Sequence, residues 1–181
     1  MSTSKKKEPG LVVVLTGDGK GKTTAALGMG LRACGHGMRV AFLQFIKSSR
    51  TYGEDAAVDK VPGFELEVLG AGYVGIKGDD KTRQEHAAAA MAALDVARDR
   101  ALSGRYDMVV LDEINVALSL GLIPLDEVLA FIDARPKEVH VVLTGRGAPE
   151  ELIERADLVT EMKAVKHPFF EGRPAQEGIE F

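Results

Sequence analysis

At 181 residues with a hydrophobic fraction of 45%, the chain has room for a sizeable core and needs no second domain. Net charge is −4 and the longest basic block is Lys5-Lys6-Lys7, so electrostatics point away from a nucleic-acid partner. Cys34 stands alone, which excludes an intrachain disulfide and a multi-cysteine metal site and fits a cytoplasmic location, and no apolar stretch is long enough for a membrane span.

Met1 to Gly10 is charged, lacks a signal-peptide core, and reads as a mobile tail ahead of one α/β domain over 11–181. The run Leu11-Val12-Val13-Val14-Leu15 predicts a buried strand, and the Ala/Leu/Met-rich stretch from Ala25 to Ala33 predicts a helix. Between them lies Thr16-Gly17-Asp18-Gly19-Lys20-Gly21-Lys22-Thr23-Thr24. Glycines there let successive backbone amides point inward around a polyphosphate, and the opening helix adds unpaired N–H groups and its positive end. Lys22 adds a charge for the phosphates and Thr23 a hydroxyl for Mg²⁺. Thr16 replaces the first glycine of the usual pattern, and Asp18 is an acidic intruder that must face a sugar, a metal or solvent.

Arg39 to Phe45 predicts a second strand. The polar segment Ile46 to Lys60, with Lys47, Arg50, Tyr52 and Glu54, reads either as a substrate loop or as a solvated connector. Phe64 to Leu69 alternates apolar and charged residues, as an edge strand does. Gly70-Ala71-Gly72-Tyr73-Val74-Gly75 follows; no helix opens there, so a ligand-covering loop through Asp80 is expected rather than a dinucleotide fingerprint. Lys81 to Leu102 is helical by propensity, with His86 as a surface or packing residue.

Tyr106 to Glu113 is an apolar strand ending in two acids, the Walker B pattern. Asp112 then holds Mg²⁺ (or Mn²⁺) directly or through water, and Glu113 joins the metal or polarises a water. Asn115 to Leu122 and the stretch after Pro124 predict short helices, and Glu138 to Thr144 a further strand. The strand ends in Thr144-Gly145-Arg146-Gly147, where a hydroxyl and the Arg146 guanidinium can meet an anion. Pro149 to Ala156 is a helix and Asp157 to Met162 another strand. The segment from Lys163 to Gly172 mixes cations, including Lys166 and His167, with aromatics, either as a packed tail or as a site for a large amphipathic ligand. The pattern as a whole predicts a P-loop NTPase-like (RecA-like) α/β three-layer sandwich with a mainly parallel sheet of about six strands.

Five blocks in order carry a closer resemblance: the loop from Thr16 through Ala26, Gln44-Phe45-Ile46-Lys47, Val109 to Glu113, Thr144 to Gly147, and Val165-Lys166-His167-Pro168-Phe169. In these the chain resembles the P-loop type of ATP:corrinoid adenosyltransferase, from about Leu11 to Phe181. The resemblance implies transfer of the 5′-deoxyadenosyl group of ATP to the cobalt of cob(I)alamin or of a precursor such as cob(I)yrinic acid a,c-diamide, with triphosphate leaving. Cobalt is then the nucleophile, and the protein supplies placement and charge neutralisation. By this resemblance Gly17, Asp18, Gly19, Lys20, Gly21, Lys22, Thr23 and Thr24 hold the triphosphate, and Arg146, Lys166 and His167 complete the substrate site. Lys22, Thr23 and Glu113 are catalytic, and Thr23, Asp112 and Glu113 arrange the metal. Tyr73 takes the place of a corrinoid-facing Phe, while the Trp that often follows falls near Gly75, in a chain without Trp. The resemblance further implies a homodimer, an N-terminal segment over the corrinoid, and a reductant or flavoprotein that delivers the electron to cob(II). Two alternatives stay open, a nucleoside monophosphate kinase-like enzyme and a nucleotide-gated switch; products of ADP, rather than triphosphate, mark them.

Overall fold

The computed structural model describes residues 8–49, 52–75 and 79–180; most of the expected tail, Arg50, Ile76 and Phe181 lie outside the described residues. Six strands form one sheet: β1 (Val12–Thr16), β2 (Val40–Gln44), β3 (Phe64–Val68), β4 (Met108–Asp112), β5 (His140–Thr144) and β6 (Leu158–Glu161). Their order is β3-β2-β4-β5-β1-β6 and every pairing is parallel. The alternating strand between Phe64 and Leu69 is indeed at one edge, where its charged residues Glu65 and Glu67 reach Arg39 and Arg100.

Helices α1 (Lys22–Gly35), α2 (Gly53–Val58), α3 (Arg83–Leu102), α4 (Ile114–Ser119), α5 (Leu125–Ala134) and α6 (Glu150–Arg155) cover the sheet. Because side chains alternate along a strand, Val13, Leu15, Phe42, Val110 and Val142 pack on one face with Ala26 and Ala33 of α1. Val12, Val14, Leu43, Leu111 and Leu143 pack on the other with α3, α5 and Leu152 of α6. Each fully buried Leu, Val or Phe contributes about 1.5–3 kcal/mol by leaving water. On α3 the buried residues are His86, Ala90, Ala93, Leu94, Ala97 and Ala101, a stripe of mostly small side chains at helical spacing that brings this helix close to the sheet. Its start is fixed by a capping box in which Thr82 Oγ1 accepts from the Glu85 amide and Glu85 Oε2 accepts from the Thr82 amide.

Register places the chemistry. Gln44 lies beside Asp112, and Leu111 beside Leu143, so the last residues of β2, β4 and β5 stand side by side as Gln44, Asp112 and Thr144. The loop that follows β1 opens at this same carboxyl edge, where ligands of open α/β sheets bind. Among the described residues no helix is long and apolar enough to cross a membrane.

Candidate active site

The loop between β1 and α1 is held tightly. Gly17 has φ of +94°, and a Cβ there would meet the Met162 carbonyl oxygen at 2.4 Å, so only glycine fits between the loop and the end of β6. The Gly19 amide donates to the same Met162 carbonyl at 2.6 Å. Lys22 curls back over the loop: its Nζ donates to the Gly17 and Gly19 carbonyls, both at 2.7 Å. Burial pushes this ammonium below its ordinary pKa; Glu113 opposes that and Arg146 reinforces it.

Beneath the loop, Asp112 is fully buried. Its Oδ1 accepts from Thr144 Oγ1 at 2.7 Å and Thr23 Oγ1 at 2.9 Å, and its Oδ2 faces Gln44 Nε2 at 3.4 Å. Desolvation drives its carboxyl pKa up, and the hydroxyl donors only partly offset this. Thr144 therefore serves Asp112, and it also accepts from the Glu113 amide at 2.9 Å. The sequence offers this hydroxyl to an anionic ligand; register instead sets Thr144 beside Asp112, which accepts its hydrogen bond.

Glu113 is the one non-glycine residue with positive φ among those described, at 64°, immediately before α4. A left-handed backbone at a residue with a Cβ costs about 1–2 kcal/mol. In return, the Glu113 side chain leaves the sheet and lines the cleft. Burial and the neighbouring Asp112 raise its carboxyl pKa, while Lys22, Arg146 and Lys47 pull it down.

These groups open onto a cleft of about 1010 Å³, at the upper limit of the range of roughly 300–1,000 Å³ usual for small-molecule sites. Asp18, Gly19, Lys20, Gly21, Lys22, Thr23 and Thr24 line one end, and Glu113 and Arg146 flank it. Tyr73, His167, Phe169 and Phe170 line the other. Lys166 stands apart: its side chain is 81% exposed, pairs with Glu171 at 3.3 Å and is not on the cleft wall. Lys20 is held by Glu180 at 2.6 Å, which brings the C-terminal segment against the phosphate loop.

Of the two readings of the polar segment Ile46 to Lys60, the substrate loop is the one that agrees with the cleft lining. Lys47, only 11% exposed, pairs with Glu54 at 3.1 Å and sits 3.7 Å from the centre of the Tyr52 ring. The polar segment is thus partly helical, as α2, and Lys47, Tyr52, Gly53 and Glu54 line the cleft. Position just past the β2 carboxyl end was the available signal. Asn115, fully buried in α4, donates to the Gly145 carbonyl at 3.2 Å and so steadies the turn that carries Arg146. That contact, between residues far apart in the chain, left no sequence signal.

The oxygen donors Thr23, Asp112 and Glu113 suit a hard divalent cation such as Mg²⁺, and Asp112 Oδ2 retains acceptor capacity beside the weak Gln44 contact. Among the described residues no group of three or more His, Cys, Asp or Glu side chains forms a cage, so such an ion needs oxygens from a bound phosphate.

A parallel sheet whose first strand runs into a lysine-closed phosphate loop above a buried acidic strand end defines a P-loop, RecA-like nucleotide-binding protein. Solved structures of this fold include the flagellar accessory protein FlaH from Methanocaldococcus jannaschii (TM-score 0.56, 11% identity, 84% of this chain and 71% of that one). The RadB recombinase is also similar (TM-score 0.51, 17% identity, 88% and 77%), a likeness of fold alone. Residues 8–181 match the family described as ATP:corrinoid adenosyltransferase BtuR/CobO/CobP, and the chain belongs to that family. It is 46% identical over 175 residues to a corrinoid adenosyltransferase of Pseudomonas aeruginosa, covering 96% of this chain and 85% of that one. Similar enzymes from Sinorhizobium sp (44%, covering 98% and 83%) and Salmonella typhimurium (38%, covering 97% and 87%) share nearly the full length.

Proposed function

We propose that the cleft performs the family's reaction, with ATP along the phosphate loop and the corrinoid against the aromatic rim. The observation that carries this reading is the continuity of one cleft from Lys22 and Thr23 to Tyr73, Phe169 and Phe170. The cobalt of a reduced corrinoid supplies an electron pair to C5′ of ATP; a Co–C bond forms, the C5′–O bond breaks, and triphosphate departs with that bond's electrons. Gly17 to Thr24 bind the triphosphate, and Lys22 and Arg146 meet its growing negative charge. Thr23, Asp112 and Glu113 would hold Mg²⁺, which when bound neutralises phosphate charge. Glu113, raised in pKa by burial, must be ionised for that task, so ATP binding should weaken on acidification at a pH above the ordinary glutamate range.

Tyr73, His167, Phe169 and Phe170 offer apolar surface to the corrin. Phe169 and Phe170 are 75% and 76% exposed, a degree expected of surfaces awaiting a ligand or partner. With Val165 and the open β6 edge, these residues also support the family's homodimer. The reading includes a cytoplasmic location and an external reductant for cob(II).

Anaerobic incubation with ATP, Mg²⁺ and chemically reduced cob(I)alamin tests it. A light-sensitive adenosylcorrinoid with one triphosphate per turnover is expected; ADP without a Co–C product would transfer the function to a kinase or a switch. Tyr73→Ala should slow the reaction that starts from cob(II)alamin about tenfold and spare that of pre-reduced cob(I)alamin, since only the former requires loss of an axial ligand. Equal losses would remove Tyr73 from that step.

A further inference from the structure

The stretch Gly70 to Gly75, which carries Tyr73, is fastened at both ends. At its start, Gly70 lies so close to the chain just past β2 that a Cβ would meet the Ile46 carbonyl carbon at 2.5 Å, and the Gly72 amide donates to the Ile46 carbonyl at 2.9 Å. At its far end stands Asp79. One oxygen of its carboxylate accepts from the Gly75 amide at 2.7 Å and the other from the Lys81 amide at 3.1 Å, while His86 Nε2 lies 3.0 and 3.1 Å from the two. These donors, the Gly75 amide foremost, hold the Asp79 carboxyl down to about 2, so it is an anion at any working pH.

His86 is otherwise hard to place. It is 3% exposed on the sheet-facing stripe of α3, among alanines, where a polar ring costs free energy unless bonded. The ring bonds Asp79, in the loop ahead of the helix. The ring thus converts the rigid position of α3 into a fixed position for Asp79, and through the Gly75 amide for the backbone two residues beyond Tyr73. On the opposite side the Tyr73 hydroxyl lies 3.2 Å from that of Tyr52, which anchors the ring to the start of α2.

The geometry points to His86 as a positioning residue for the reaction, acting through Asp79 to hold Tyr73 over the cleft. This role rests on Tyr73 meeting the corrinoid, as proposed above. Asp79 has several donors, so loss of the ring loosens the loop rather than unfolding it, and the effect falls on the corrinoid side of the cleft. The phosphate loop, at the other end, keeps its own contacts with Met162.

Amide exchange measured by NMR reads the tether without any corrinoid. In His86→Leu, and in Asp79→Ala should the core substitution misfold, exchange at the Gly75 amide should rise about tenfold or more while Gly72 stays protected. The same variants should lose about tenfold in the rate from cob(II)alamin under reduction, with the KM for ATP within twofold of wild type. His86→Gln, which keeps a side-chain N–H, should recover much of both. Unchanged exchange at Gly75, or raised exchange with the wild-type rate, would overturn the assignment; so would equal loss of ATP affinity. A wild-type protein that makes no adenosylcorrinoid would sink the functional reading itself, and with it the role of the tether, while the exchange data would still report whether the tether exists.

Discussion

Lys22→Ala should lower kcat for adenosyl transfer by about 10²–10³-fold, the scale on which one oriented charge or donor contributes to a transition state, and should raise the KM for ATP as well. Lys22 is 7% exposed and its ammonium is held by the Gly17 and Gly19 carbonyls, so its charge is poorly screened and already placed for the proposed triphosphate. When the C5′–O bond breaks, negative charge accumulates on the leaving group, and the group that stabilises it more in the transition state than in the ground state accelerates the step. The fold should survive: Gly19 and Lys22 line the cleft, where water replaces the lysine at a cost of about 1 kcal/mol. Lys22→Arg should not restore activity, because the planar guanidinium cannot occupy the point between two loop carbonyls. Corrinoid spectra and triphosphate release measure the loss, and thermal unfolding separates it from misfolding. Near-normal turnover in Lys22→Ala would remove the phosphate-loop assignment.

Strands and phosphate loop were legible in the sequence because both depend on local pattern. Apolar runs bounded by glycine and polar residues mark β1, β2, β4 and β5, and the alternation in Phe64 to Leu69 marks β3 as an edge. The sequence marks Asp157 to Met162 as a strand but not its place at the other edge, where Leu158 and Val159 lie 43% and 40% exposed. What sequence could not provide was side-chain direction across the sheet. The sequence offers the Thr144 hydroxyl to an anion, yet register sets it against Asp112; it groups Lys166 with His167, yet only His167 lines the cleft. The sequence leaves His86 open between surface and packing because its partner, Asp79, is met only once α3 is folded against the sheet. Helix α2, six residues inside a polar segment, is too short for periodicity to mark it, although the Asp55 carboxylate that accepts from the Tyr52 amide is a local feature.

Asp112→Asn should separate stability from function. The aspartate is fully buried, and a carboxylate without water or a cation is costly even when three donors face it. Asparagine has the same shape: its Oδ1 can accept from Thr23 and Thr144, and its amide then faces Gln44. A turned Gln44 amide would place Oε1, now buried without a partner, where it accepts from the new Nδ2. The variant without nucleotide should therefore be at least as stable as wild type at neutral pH, with a gain on the order of 1 kcal/mol. The sign follows from linkage. Burial raises the folded-state pKa of Asp112 above its unfolded value, so wild type forfeits stability as pH rises from the unfolded toward the folded pKa. The advantage of asparagine should be absent in acid and grow over that interval. Function moves the other way: without the anion, Mg²⁺-ATP is held poorly and adenosyl transfer should fall by at least about 10²-fold. Wild type should gain about 2.7 kcal/mol of stability at a Mg²⁺-ATP concentration 100 times Kd, and the variant far less at that same concentration. Thermal unfolding with and without Mg²⁺-ATP decides the matter. A variant that melts well below wild type without nucleotide would make Asp112 part of the scaffold, and one that keeps the full ligand-induced gain would remove it from the metal site.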